Sequence, residues 1–463
     1  MDTRSPEPAR GGSGSRPRWA GAGLALAAFG IALRAHNAVD YPFDKGFDAA
    51  AKWEYVALLM QRFALPAPDA LWASAHPPLF YALAAGIGRA LGSPEKAAVV
   101  TAVRLVGSAL GLLVVGLAFA AVRRWDPGNE RRAFLAAGLL LLLPVHVYTS
   151  AMLSEELLVA ALVSLCVFGV ARDAGGEAPR ASFARPALWG ALGGLALLAK
   201  ASGGLALAAG GLAYLVGGAR RGELRGGAAR ALVFGGVGAA VGGWFYLRNW
   251  IGWGYLYPQG LEVHAIMRSM PPGERGLVDY LYVPAATWLE PYALHPDLLR
   301  SVWGSTYLSL WFDPHRHFLP REAAGLTEVA RAMAWLGILP TAGFAWGVVR
   351  GVRRALRSPR GPDTALLALL ALGLGGYAAF TWRNPQFATL KASYLLGLSI
   401  PFAWFASDGL ALWTRPGRWF AAPVWLALAA LAALSAGLFW HGLLYAKLDD
   451  PGVQWLLLTP PPG

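Results

Sequence analysis

Long apolar runs separated by short basic stretches set the pattern of this chain. Runs over 19–36, 99–122, 133–149, 157–171, 186–199, 202–219, 231–247, 329–349, 364–381, 393–411 and 421–440 each fall near the length needed to cross a bilayer as a helix. A further run, 76–91, opens on His76-Pro77-Pro78, and proline suits the first position of a helix. Between alternate runs lie clusters of arginine: Arg123, Arg124, Arg131 and Arg132; Arg172, Arg180 and Arg185; Arg220, Arg221, Arg225 and Arg230; Arg350, Arg353, Arg354, Arg357 and Arg360; Arg415 and Arg418. Cytoplasmic loops carry such an excess. The clusters share one side only if 76–91 does not cross, so that run reads as a juxtamembrane or re-entrant helix. The stretch 186–219 is too long for one span and basic at both ends, so it crosses twice, with Lys200 at the turn.

The pattern predicts an all-α polytopic membrane protein of about eleven transmembrane helices, with the N-terminus inside. Residues 1–18 read as a disordered cytoplasmic tail. An N-terminal transmembrane module follows over 19–250 and includes a first outer loop, 37–98. A second extracytoplasmic loop covers 251–328, C-terminal transmembrane helices 329–440, and an outer tail 441–463. The first apolar run reads as an uncleaved anchor rather than a signal peptide.

Composition agrees. Hydrophobic residues make up 56% of the 463 and charged residues 14%, with mean hydropathy +0.44. Soluble globular chains hold about 25% charged residues, which excludes an ordinary soluble enzyme. The net charge of +13 belongs to the basic loops rather than to nucleic-acid binding. The lone cysteine, Cys166, excludes an intrachain disulfide. Small-residue pairs at Gly107/Gly111, Gly190/Gly194 and Gly238/Gly242 predict close helix packing.

The chemistry gathers on one face. All eight histidines (His36, His76, His146, His264, His295, His315, His317 and His441) fall in the outer loops or at outer span ends. The first outer loop carries Asp40, Asp44 and Asp48, then a helical pattern in which Trp53, Val56, Ala57 and Met60 form a stripe able to rest on the membrane surface. Asp48 sits at that helix start. It fits either a capping residue with an i,i+4 partner in Lys52 or a general base above the headgroups. Glu155 and Glu156 head the 157–171 span, where the helix dipole favours acids but an unpaired carboxylate against apolar helix is costly. Lys200, Arg248 and Lys391 each end a span on this side. Any one of them could snorkel, but cations beside carboxylates at that depth suit a lipid-borne phosphate.

No nucleotide loop, His-Glu-x-x-His motif or cysteine pair is present. Asp313 with His315 and His317 offers metal-ligand chemistry, although a polar interfacial loop is the better reading. The sequence specifies no cofactor and leaves a divalent cation as an open alternative.

The order of these features resembles the membrane glycosyltransferases of the GT-C fold. The resemblance is to bacterial relatives of protein O-mannosyltransferases and lipid A aminoarabinose transferases, glycosyltransferase family 39. The matching stretches are Phe47-Asp48 with Glu54-Tyr55, Ala64-Leu65-Pro66, His76-Pro77-Pro78, Ser154-Glu155-Glu156, Leu198-Ala199-Lys200, Arg248-Asn249 and Lys391 to Leu396. The resemblance implies a catalytic first outer loop and transfer of a sugar, with inversion, from a polyprenyl-phosphate donor to an extracytoplasmic acceptor hydroxyl. The acceptor would be a lipid, glycan or protein, at the inner (plasma) membrane of a bacterial cell envelope. Carried over, Asp48 matches the catalytic acid of the first loop, with Asp44 four residues earlier as its rival. Glu156 supports it. Lys200 and Arg248, joined by Lys391, match donor-phosphate positions. His76, Glu155 and Tyr394 stand as substrate-binding residues. Lys52 departs from the polar or histidine residue common in relatives. A transporter or flippase of a lipid-linked sugar is the competing class. It should place charge near the midplane and show internal repeats, whereas here the charges collect at one face.

Overall fold

A computed structural model describes residues 19–92, 95–177, 182–258, 261–320, 325–358 and 361–444. The expected tail 1–18 and most of the tail 441–463 lie outside the described residues. The chain begins α1 (Ala20–Asp40), α2 (Ala49–Arg62), α3 (Leu79–Ala90), α4 (Lys96–Trp125), α5 (Glu130–Leu141), α6 (Pro144–Ser150), α7 (Glu156–Arg172), α8 (Ala184–Ala199), α9 (Gly204–Arg220) and α10 (Leu224–Trp253). Four short helices follow, α11 (Ala265–Arg268), α12 (Ala286–Leu289), α13 (Pro296–Arg300) and α14 (Val302–Trp311). The chain then forms α15 (Leu326–Arg357), α16 (Asp363–Arg383), α17 (Ser399–Trp413) and α18 (Ala421–Leu438). No strand forms among the described residues.

This is a multi-pass membrane protein. Among the described residues, nine helical segments are long and apolar enough to span, or ten if α5 and α6, bent by 50° at their break, count as one. The other expected span, 186–199, forms α8, which at 16 residues is shorter than a usual crossing. The 76–91 run becomes α3, 12 residues starting just after Pro78, too short to cross unaided. It packs beside α2 in a cluster of its own that includes Tyr55, Val56, Leu59, Phe80 and Tyr81. The buried stripe of α2 is Lys52, Tyr55, Val56 and Leu59, one position round from the expected Trp53, Val56, Ala57 and Met60. The shift follows from Lys52, which turns inward to an acid.

Two kinds of contact hold the bundle. Glycine lets backbones touch. A Cβ on Gly190, Gly194 or Gly242 would overlap the backbone of the facing helix, α10 for the first two and α8 for the last. Gly111 instead faces the His146 ring, and Gly107 faces open space. At the arginine-rich end, paired charges take over. Arg354 donates to Asp408 at 2.7 Å and to Asp363 at 2.8 Å, and Arg350 reaches Asp408 at 3.0 Å. Arg132 lies 3.7 Å from Asp408, donates to Asp126 at 2.9 Å, and stacks over Trp404. At the opposite end, Asn37 of α1 exchanges hydrogen bonds with Phe439 and His441 beyond α18.

Asp408 therefore answers three guanidiniums at once. Replacing it leaves Arg350 without this acid and weakens the hold on Arg354 and Arg132, which keep Asp363 and Asp126. Asp408→Asn should clearly lower the thermal midpoint of the detergent-solubilised protein. An unchanged midpoint would show that this cluster does not bind α15 to α17.

Candidate functional site

The first loop delivers its acid through a break in the backbone. Gly46 takes φ 127°, and Asp48 takes φ 53°, a left-handed conformation uncommon outside glycine. Asp48 directly precedes α2, but its carboxylate makes no capping bond. Lys52, one turn later, pairs with Glu155 instead. Both roles that α2 could give Asp48 are unused. Its exposed carboxylate lines a cavity of about 670 Å³.

Three separate stretches wall that cavity. The first loop gives Asp48, Trp72 and His76; the second gives Tyr257, His264 and His315 to His317; the chain beyond α16 gives Asn384, Gln386, Lys391 and Tyr394. Lys391 is buried in extended backbone, its ammonium 4.3 Å from the centre of the Phe47 ring and 5.9 Å from that of Tyr394. No carboxylate lies within ion-pair distance of it among the described residues. Cation–π contacts steady such a charge without neutralising it.

Behind this wall lies a buried network of two lysines and two glutamates that neutralise each other. Lys52 meets Glu155 at 2.7 Å, and Lys200 meets Glu155 at 3.6 Å and hydrogen-bonds Glu156. Burial opposes the charge on Glu155, but Lys52 first and Lys200 next outweigh it and hold its carboxyl below the usual range. Burial opposes the charge on Lys200 too, and Glu156 with Glu155 overcomes it, raising the Lys200 pKa. The Tyr394 ring sits 4.4 Å from the Lys200 ammonium, between that satisfied cation and Lys391.

Of the expected site residues, the structure thus brings Asp48, His76, Lys391 and Tyr394 to one cavity and sets Glu155, Glu156 and Lys200 directly behind it. Arg248 donates to the carbonyls of Pro66 and Leu65 and stacks on Trp253. Asp44 is exposed and is not part of the cavity lining. Among the described residues no group of three or more His, Cys, Asp and Glu side chains could hold a metal ion. Asp313 accepts from the backbone N–H groups of Phe318 and Leu319, which fits the polar-loop reading of the Asp313 region.

No protein-family model matches the sequence, and no curated protein matches it. Solved structures nonetheless share its architecture. The Archaeoglobus fulgidus oligosaccharyltransferase in complex with Zn and sulfate gives a TM-score of 0.52 at 16% identity, over 92% of this chain and 53% of that one. The same enzyme tethered with an acceptor peptide containing the NVT sequon gives 0.51 at 16% identity, over 94% and 56%. ArnT from Cupriavidus metallidurans in the apo state gives 0.52 at 16% identity, over 94% and 78%. The fold is that of the GT-C membrane glycosyltransferases. The chain spans about half the length of the archaeal enzyme.

Within this GT-C fold, sequence reasoning missed several participants. Arg104 is fully buried in α4 and donates to the carbonyls of Tyr41 at 2.5 Å and Pro42 at 2.8 Å. It fixes the start of the loop that carries Asp48, but a lone arginine inside an apolar run looks like any snorkelling cation. Asn384, Gln386 and Trp72 gave no signal. The histidines did: four of the eight line the cavity.

Two of those histidines stay neutral at ordinary pH. His76 donates to or accepts from the Tyr81 hydroxyl at 2.8 Å. Burial is the main cause that takes its pKa down to about 4; Glu155 works against the shift, Lys52 and Lys200 with it. Burial, aided by Lys391, takes His315 to about 3. For His76 the unfolded chain binds a proton near 6.5 that the folded chain refuses until about 4. Its contribution to stability is therefore full above 6.5 and is lost as pH falls toward 4. The loss of thermal midpoint on acidification from roughly pH 7 to 5 should be smaller in His76→Gln than in the parent. Equal losses in both would place an ordinary, titrating histidine there.

Proposed function

We propose that this protein is an integral membrane glycosyltransferase that moves a sugar from a polyprenyl-phosphate donor to an extracytoplasmic acceptor hydroxyl, with inversion. The observation that carries this reading is one cavity lined by both a carboxylate without a capping bond or ion pair, Asp48, and a buried ammonium, Lys391, with no acid within ion-pair distance among the described residues. The GT-C fold and the sequence resemblance supply the reaction class. The acceptor peptide tethered to the archaeal enzyme supports an acceptor-binding site in such a fold.

A lipid phosphate is already a leaving group, so the protein must handle a proton and a charge. Asp48 accepts the acceptor's hydroxyl proton as its oxygen attacks the anomeric carbon. Attack comes from the face opposite the phosphate, which inverts the centre. Negative charge then grows on the departing phosphate, and Lys391 is already fixed to receive it; a preorganised cation in a water-poor site does this without reorganising. Lys200 and Lys52 are neutralised by Glu155 and Glu156, which leaves Lys391 as the ammonium available to the phosphate. Neutral His76 orients substrate by hydrogen bonding, with Tyr394 at the sugar. Arg248 supports the site by holding the Leu65-Pro66 turn. Asp44, outside the cavity lining, yields the base role to Asp48.

General-base help is worth about 10²–10⁴ in rate. Asp48→Asn should lose turnover on that scale, followed as consumption of a lipid-linked sugar by purified protein with the product identified by mass spectrometry. Binding of polyprenyl phosphate should survive in that variant and fail in Lys391→Met. Normal turnover in Asp48→Asn with loss in Asp44→Asn would move the base to Asp44.

The arginine-rich end faces the cytoplasm in this proposal and the cavity faces outward. In a Cys166-free background, cysteines at 70 and 270 should react with an impermeant thiol reagent in intact cells, and cysteines at 128 and 356 should not. Labelling of 128 from outside would invert the arrangement.

A further inference from the structure

Arg316 stands in the wall between two cavities. It lines the large one with Asp48 and Lys391, and it lines a second, of about 500 Å³, with Lys45, His317 and His441. Among the described residues that second wall holds four basic side chains and no acid; Asp40 lies behind it, on His441 Nδ1 at 2.7 Å. Arg316 adopts φ 54°, strained for a long side chain and of a kind that collects at ligand sites. Its guanidinium rests on the Phe312 ring at 5.0 Å. Nη1 is enclosed and has no hydrogen-bond partner. Asp313 attracts Arg316 through space, but no carboxylate forms an ion pair with Arg316 among the described residues, and Asp313 accepts from backbone N–H groups. An enclosed donor without an acceptor is costly, and Arg316, as a lining residue of both cavities, brings a guanidinium whose planar fork suits phosphate or carboxylate.

Resting on the transferase reading, the geometry points to Arg316, with His317 and Lys45, as the site of an anionic group carried by the acceptor, separate from the donor phosphate at Lys391. The placement decides between the two substrates. Lys391 belongs to the stretch that runs into the 387–413 span, beside which a lipid tail must lie. Arg316 belongs to a loop, and its second cavity is shared with Lys45 and Gly46, which lead directly into Asp48. A molecule whose anion sits at Arg316 can reach past Gly46 to present its hydroxyl to Asp48. The acceptor is therefore a hydroxyl compound bearing a phosphate or carboxylate, and neutral acceptors are disfavoured.

The test uses the full chain in detergent, with a short-chain polyprenyl phosphate at saturation to fill the donor site. Inorganic phosphate and acetate are then titrated by NMR as separate probes, one for each anion class. The parent should bind at least one of them. Arg316→Gln should weaken that binding by about tenfold or more, the scale of a lost charge-assisted hydrogen bond. Arg316→Lys, which keeps the charge, should retain most of it and controls for folding. Affinity for polyprenyl phosphate should be unchanged in Arg316→Gln. No anion binding in the saturated parent, undiminished binding in Arg316→Gln, or weakened polyprenyl-phosphate binding in that variant would each overturn the inference. If polyprenyl phosphate fails to bind the parent, the donor reading falls instead, and the Arg316 comparison is still read with the anions alone.

Discussion

A buried exchange of charge at the head of α7 is the interaction on which the site depends. Glu155 and Glu156 sit where a helix meets the apolar layer, and unpaired carboxylates there would be expensive. Lys52 from α2 and Lys200 from the α8–α9 turn satisfy them. Because those partners come from distant parts of the chain, the pairing pins the first loop helix, the α7 start and the α8–α9 turn to one another. Truncating any member would leave a charge stranded, which is far costlier than a lost surface pair.

That pairing also decides which charges stay free. Lys52 and Lys200 are consumed, so Lys391 is the ammonium left facing the cavity, with the Tyr394 ring between it and Lys200. Lys52 turns away from Asp48, so the Asp48 carboxylate is left unengaged. An acid and a cation that do not neutralise each other, on the wall of one cavity, are what proton transfer and leaving-group stabilisation require.

Arg104, on the carbonyls of Tyr41 and Pro42, and the left-handed turn at Asp48 hold the acid out from α2. At the far end, Asp408 and Asp363 join α15, α16 and α17 through Arg350 and Arg354. Between the two ends, glycine contacts such as those of α8 with α10 carry the packing, since lipid removes most of the hydrophobic drive between helices.

The sequence by itself determined the membrane class and the helical segments, because span length and arginine placement obey local rules of transfer into lipid. It also marked Asp48, Glu156, Lys200 and Lys391, since charge at the edge of an apolar run is conspicuous against its background. Tertiary structure alone decided how those charges pair. Lys52 could have answered Asp48 within its own helix and answers Glu155, about a hundred residues away, because the low-dielectric interior rewards the buried contact more than the exposed one. It alone revealed Arg104 and Arg316 as well. Their roles rest on which carbonyls and cavities lie opposite them, and no spacing along the chain encodes what faces a side chain across a bundle.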